Sequence, residues 1–252
     1  MTATKAISAS GADWVTGKPE PSRHDPWCRG GRHSPNSCRL EVLSMLDYLI
    51  DPRDQAVLGA VPTLMQPLHG TLEPCPLFTH RFVIARNGVY LQARTPALDV
   101  CLQVAAAQCC AFPYGTLTEH CRLAGGPIPW RLFESIRRMA QAASPDEWAC
   151  QILHDPDEGY RIHVPRVISC TAGHITYATD SFDPEQVVVD LHTHGEGEAF
   201  FSATDDESDR QGGIYIAVVL GRCGPHQHMT QATRLVVNGL LLNVELGLWR
   251  PA

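Results

Sequence analysis

The feature that most constrains this chain is the run Val187-Val188-Val189-Asp190-Leu191 closed by His192-Thr193-His194. Apolar, β-branched residues at this density read as a strand buried in a sheet. Successive side chains of a strand point to opposite faces, so His192 and His194 leave its C-terminal end on one face. Two imidazoles so placed can grip one metal ion, and their nitrogen donors suit zinc. A histidine pair at a strand end can equally be plain surface, so the flanking residues decide. The runs EWACQIL, YRIHV, GHITYA and IYIAVVLG read as further strands, as do RLVV and LLLN joined by Asn238-Gly239. Pro127-Ile128-Pro129 opens the helix WRLFESIRRMAQAAS, with Leu132, Ile136, Met139 and Ala143 along one face. One helix, several strands, a short helical stretch after Ser202 and more strands predict an α+β domain built on a mixed sheet over residues 126–252.

Upstream the text changes twice. Residues 1–38 are rich in Ser, Gly, Pro, Arg and His without apolar periodicity and read as a disordered leader. His24, Cys28, His33 and Cys38 within it lack the paired C-x2-4-C spacing of a zinc finger, so a structural metal there is the weaker reading. Residues 39–125 read as a small α+β unit without evident chemistry. It opens with a helix, LEVLSMLDYLI, ending before Asp51-Pro52. RFVIA and VYLQA then form a hairpin about Arg86-Asn87-Gly88, and ALDVCLQVAAAQCC reads as a helix stopped at Pro113-Tyr114-Gly115. The ten cysteines are spread over a long chain, often in apolar surroundings, and read as reduced thiols. The neighbours Cys109 and Cys110 could pair only through strained geometry.

The charge balance narrows the partners. With 20 Lys+Arg against 27 Asp+Glu, the net charge of -7 repels phosphate backbones and anionic lipid, which argues against direct nucleic-acid or membrane binding. The opening MTATKAISASGADWVTG has no apolar h-region, and no stretch reaches the roughly 18 apolar residues of a membrane helix, so a cytoplasmic location is expected.

Downstream of the histidines, Asp205 stands 13 positions beyond His192, past the loop GEGEAFF. Two His and one carboxylate leave the fourth position of a zinc ion free for water, whose pKa the metal lowers to about 7. Ser202-x-x-Asp205 also has the spacing of a helix capping box, and both roles are compatible. A hydroxyl fixed at a helix start beside a metal is a donor suited to an oxyanion. The chemistry further needs a carboxylate that is not a ligand, to take a proton from water and pass it on. Glu147, at the start of EWACQIL, fits that need, whereas Glu134 in an Arg-flanked helix and Glu158 in a turn read as solvated.

These residues together resemble the JAMM (MPN+/JAB) motif of zinc isopeptidases: His192-x-His194, seven residues, Ser202-x-x-Asp205, with Glu147 45 positions upstream of His192. The resemblance implies a cytidine-deaminase-like mixed sheet flanked by helices. It also implies one catalytic Zn2+ held by His192, His194 and Asp205, Ser202 assisting the oxyanion, and Glu147 as general acid/base. A longer set, HRFVIARNGVYL, PYG, the long helix and DLHTHGEGEAFFSATDDESD, is similar to the JAB-type member of bacterial PRTRC cassettes, named for ParB-related and ThiF-related neighbours. That likeness implies a ubiquitin-like protein as substrate, cut at a peptide or isopeptide bond, with ThiF/E1-like cassette proteins as partners. The chain departs from the motif at Thr193, where a Ser is usual, and at Gly195, where a Pro is usual. It lacks the long insertions with which eukaryotic deubiquitinases hold ubiquitin, and Glu196 and Glu198 read as solvated residues within reach of a basic tail. Two rivals stand beside this reading. An MPN scaffold without activity would need no ligand set. A PHP or amidohydrolase barrel also opens on DLHTH, but only 58 residues follow His194, too few for the remainder of a barrel of about 250.

Overall fold

The computed structural model describes residues 51–171, 174–178 and 183–250, together with the backbone of residues 5–7. The His24/Cys28/His33/Cys38 cluster, the helix expected over 40–50 and most of the expected leader lie outside the described residues. Residues 5–7 are an exception to an unstructured leader. There β1 (Lys5–Ile7) pairs in parallel with a C-terminal strand, and among the described residues nothing else pairs with that edge.

The N-terminal unit is strand-built. Helix α1 (Pro52–Ala60) is capped by Asp51 and buries none of its residues. A five-stranded sheet follows, of β2 (Thr63–Met65), β3 (Thr79–Ala85), β4 (Gly88–Arg94), β5 (Leu98–Ala106) and β6 (His120–Leu123), hydrogen-bonded in that order. The expected hairpin is β3–β4, with Ala85 opposite Gly88. The helix expected over ALDVCLQVAAAQCC is instead β5. Its first half pairs on both sides, with β4 and β6, and Leu98, Val100, Cys101 and Leu102 are buried. Pairing with two ready-made neighbours, seven register pairs with β4 and four with β6, outweighs the helical preference of Ala, Leu and Gln.

The C-terminal unit follows the expected order. The short β7 (Ile128–Pro129) leads into α2 (Trp130–Ala143), then β8 (Ala149–Asp155), β9 (Gly159–His163), and the hairpin β10 (Val167–Thr171) and β11 (His174–Tyr177). Next come β12 (Val187–Thr193), α3 (Ala203–Arg210), β13 (Ile214–Gly221), β14 (Thr230–Val237), β15 (Leu240–Leu246) and β16 (Trp249–Arg250). The main sheet runs β1-β15-β14-β13-β12-β8-β9. It is open and mixed: β12 is parallel to β13 and antiparallel to β8. The β14–β15 turn is Asn238-Gly239, both at positive φ, which suits a tight two-residue hairpin.

One apolar core joins the units. Ile136 and Ala140 of α2 pack in the same cluster as Leu91, Leu98 and Val100 of the five-stranded sheet and Val189, Leu191, Ile216, Val218 and Leu235 of the main sheet. Val188, Val189 and Leu191 of β12 thus serve the core. The even positions Asp190 and His192 face the other side, where α3 crosses from β12 to its parallel neighbour β13. In such β-α-β crossovers the carboxyl end of the strand is where ligands bind. No helix among the described residues is long and apolar enough to cross a membrane.

Candidate metal centre

At the end of β12 the alternation carries His192 and His194 into a cavity of about 520 Å3. Glu147, Ser202, Asp205, Tyr177, Asp190, Phe200 and Asp209 also line it. Asp205 comes from the first turn of α3. Ligand atoms of His192, His194 and Asp205 all lie within 4.8 Å of one another, a grouping that could hold a metal ion.

The individual nitrogens support that use. The Nδ1–H of His194 donates to the carbonyl oxygen of Glu198 at 3.0 Å, which leaves the Nε2 lone pair for a metal. The Nε2 of His192 is buried without a hydrogen-bond partner. It faces Asp205 Oδ1 at 3.4 Å, an approach that is not a hydrogen bond. Two ligands about 2.0–2.1 Å from one tetrahedral zinc stand roughly 3.4 Å apart, so this separation fits such an ion. Burial opposes charge on His192, but Asp205, Asp190 and Glu147 outweigh it and raise the imidazole pKa. Burial also opposes charge on Asp205, yet the facing His192 imidazole and the hydrogen bonds from Ser202 hold this carboxyl well below the usual range. Carboxylates gathered around an imidazole form a setting that suits a bound cation.

Ser202 is the N-cap of α3 and closes a full capping box. Its Oγ accepts from Asp205 N at 3.2 Å, while Asp205 Oδ2 accepts from Ser202 N and from Ser202 Oγ, each at 2.7 Å. The cap therefore fixes both the hydroxyl and the carboxylate.

Glu147 lies just before β8, with only 9% of its surface exposed, and lines the cavity. The two residues where the chain departs from the motif explain how its backbone is held. Thr193, fully buried, donates its N–H to the carbonyl of Trp148 at 2.8 Å and accepts the N–H of Trp148 on its hydroxyl at 2.9 Å. Gly195 has φ +52, and a Cβ there would stand 2.0 Å from the carbonyl oxygen of Pro145. Proline cannot adopt that φ, and no side chain would fit. The residues interleaved with the histidines thus hold the Pro145–Trp148 segment against them. Glu134 pairs with Arg137 on α2 and Glu158 is exposed; neither lines the cavity. Glu196 and Glu198 are exposed, and Glu198 pairs with Arg222.

Several residues at the site carried no role in the sequence reading. Across the sheet Gln151, Asp190, Ala217 and Arg234 stand in register on β8, β12, β13 and β14. Asp190 accepts from Gln151 Nε2 at 2.8 Å and from the Tyr177 hydroxyl at 3.0 Å. Burial raises its pKa, and those two donors hold it down only in part. Arg234 pairs with Asp206 and Asp209 of α3, and Tyr215 donates to Asp209 at 2.7 Å. Alternation from His192 marks Asp190 as sharing its face. An arginine inside the strand TQATRLVV is the corresponding signal for Arg234.

Fold and site together define a mixed-sheet α+β domain with a two-histidine, one-carboxylate cluster at the carboxyl end of a central strand. Residues 129–236 match the model of prokaryotic homologs of the JAB domain, and this region of the chain is a JAB/MPN-family domain. Residues 51–124 match a domain of unknown function, DUF2016. No curated protein matches the chain. Among solved structures, that of protein DSY2949 from Desulfitobacterium hafniense is 17% identical, covering 48% of this chain and 90% of its own, with a TM-score of 0.35.

Proposed function

We propose that this protein is a zinc-dependent peptidase or isopeptidase acting at the C-terminus of a ubiquitin-like protein. The observation that carries the reading is the buried, unpartnered Nε2 of His192 turned toward Asp205, beside a His194 whose tautomer leaves its own Nε2 free. His192, His194 and Asp205 would hold the ion. Zinc bound by three protein ligands supplies a Lewis acid and lowers the pKa of a coordinated water to about 7.

The remaining steps belong to the chain. Glu147, buried at the cavity wall, takes a proton from the attacking water and delivers it to the leaving amine. Ser202 stabilises the tetrahedral oxyanion by turning its hydroxyl proton from Asp205 Oδ2 toward that oxygen, while the Asp205 N–H holds the Oγ in place. The open cleft accepts an extended peptide, and the resemblance to PRTRC cassettes supports a ubiquitin-like partner and a ThiF/E1-like neighbour.

Incubation of the full chain and zinc with a ubiquitin-like protein carrying a C-terminal extension, read by mass spectrometry, tests this. Glu147→Gln is expected to keep about one zinc per chain and to lose cleavage, and His192→Ala to lose the metal. An active Glu147→Gln protein would falsify the assignment of the base. A wild-type chain with a full zinc complement but no cleavage of any such fusion would favour the scaffold reading.

A further inference from the structure

Helix α3 has the sequence ATDDESDR, and the one residue it buries is Asp209. A surface helix usually docks through an apolar stripe, and this one has none. Yet it starts at Ser202 and carries Asp205, so its placement decides whether the carboxylate reaches the two histidines on β12. Something other than apolar burial must hold it.

We infer that Arg234 is the positioning residue that docks α3 and thereby sets the third ligand of the metal centre. Its side chain, 3% exposed, rises from β14 beneath the helix. Nε donates to Asp209 Oδ2 at 2.7 Å, with Nη2 at 2.5 Å from the same oxygen, and Nη1 donates to Asp206 Oδ1 at 2.5 Å. The guanidinium thus grips the helix on two successive turns. Its Cζ also lies 3.9 Å over the ring of Phe201, the residue immediately before the N-cap. Tyr215 completes the arrangement by donating to Asp209 Oδ1 at 2.7 Å.

Geometry makes these contacts specific to arginine. The planar fork reaches two carboxylates and presents a flat face to an aromatic ring at the same time, whereas an ammonium can offer only a point charge. Ala217, the small residue opposite Arg234 on β13, lines the cavity and leaves room for the fork to pass under the helix. Held at Phe201, Asp206 and Asp209, α3 can neither rotate nor slide, and Asp205 lies between the held points.

This inference rests on the proposed zinc site, and two readouts separate it from that reading. In the full chain, zinc affinity is measured by competition with a chromophoric chelator well below the melting temperature, and α3 is followed by amide hydrogen exchange. Arg234→Met is expected to weaken zinc binding about 10- to 100-fold, the range found for residues that orient metal ligands. It should also strip protection from α3 while β12 and β13 keep theirs. Arg234→Lys should recover only part of either effect. If Arg234→Met does not fold, Asp206→Asn, which reduces one ion-paired arm to a neutral hydrogen bond at a partly exposed position, is expected to shift both readouts in the same direction by less. A merely structural arginine would lower the melting temperature yet leave zinc affinity within twofold, and that result overturns the inference. Unchanged α3 protection overturns it whether or not the wild-type protein binds zinc.

Discussion

Replacing Thr193 with valine isolates the contact between the histidine strand and the segment bearing Glu147. The two side chains are nearly isosteric, so the substitution creates no cavity and removes only the hydroxyl. That hydroxyl accepts the Trp148 N–H at 2.9 Å in a fully buried position. A lost hydrogen bond costs about 1 kcal/mol, and a donor left without a partner raises this toward about 2 kcal/mol. For a chain of this size each kcal/mol shifts the melting temperature by about 2–4 °C, so a drop of about 2–8 °C is expected. The catalytic effect should be larger than the stability effect implies. Trp148 follows Glu147 directly, and a displacement of about 1 Å in a reacting group can cost about 100-fold in rate. Thr193→Ser is the matched control: it keeps the oxygen and loses one buried methyl, costing about 1 kcal/mol. Thermal unfolding of the zinc-loaded variants and kcat for a ubiquitin-like fusion measure both quantities. Similar melting temperatures with kcat lowered only in the valine variant are expected; equal kcat losses in both variants refute the reasoning.

Gly195→Ala should destabilise the protein by about 1–3 kcal/mol and slow cleavage, because φ +52 is strained for alanine and Pro145 O stands 2.0 Å from the new Cβ; an unchanged melting temperature contradicts the close approach. The Tyr160 hydroxyl donates to Gly126 O at 2.7 Å, and burial raises its pKa from 10.0 to about 12. Its contribution to stability is therefore complete below pH 10 and lost as pH climbs toward 12, since the unfolded chain gives up the proton first. The stability gap between wild type and Tyr160→Phe should narrow over that window in alkaline denaturation, and a gap constant with pH counts against it. Removing zinc with a chelator should lower the melting temperature and re-addition restore it. A thousandfold excess of metal over its Kd corresponds to about 4 kcal/mol, and an unaltered transition would speak against a metal held by the native state.

How much of this was legible in the sequence varied with the range of the interactions. His192, His194, Ser202 and Asp205 could be grouped because a strand period of two and a capping spacing of three are local rules. The β3–β4 and β14–β15 hairpins were legible for the same reason, through Asn87-Gly88 and Asn238-Gly239. β5 was misread because Leu98, Val100, Cys101 and Leu102 are apolar on both faces, which hides the alternation, and its strand state comes from β4 and β6 rather than from its own residues. Arg234 escaped because its partners Asp206 and Asp209 lie 28 and 25 residues away. Spacing offers no rule at that separation.

The polar row formed by Gln151, Asp190, Ala217 and Arg234 has a consequence for how the chain assembles. A strand that slips by one position exchanges all its inward and outward side chains. Slippage of β14 would send a guanidinium into the apolar core and put Thr233 or Leu235 beneath α3, leaving Asp209 buried without its cation. Each of four strands must therefore be threaded correctly before the helix can settle and the third ligand can close on the histidines. On the proposed zinc site, metal capture would then depend on the register of the sheet as well as on the three ligands themselves.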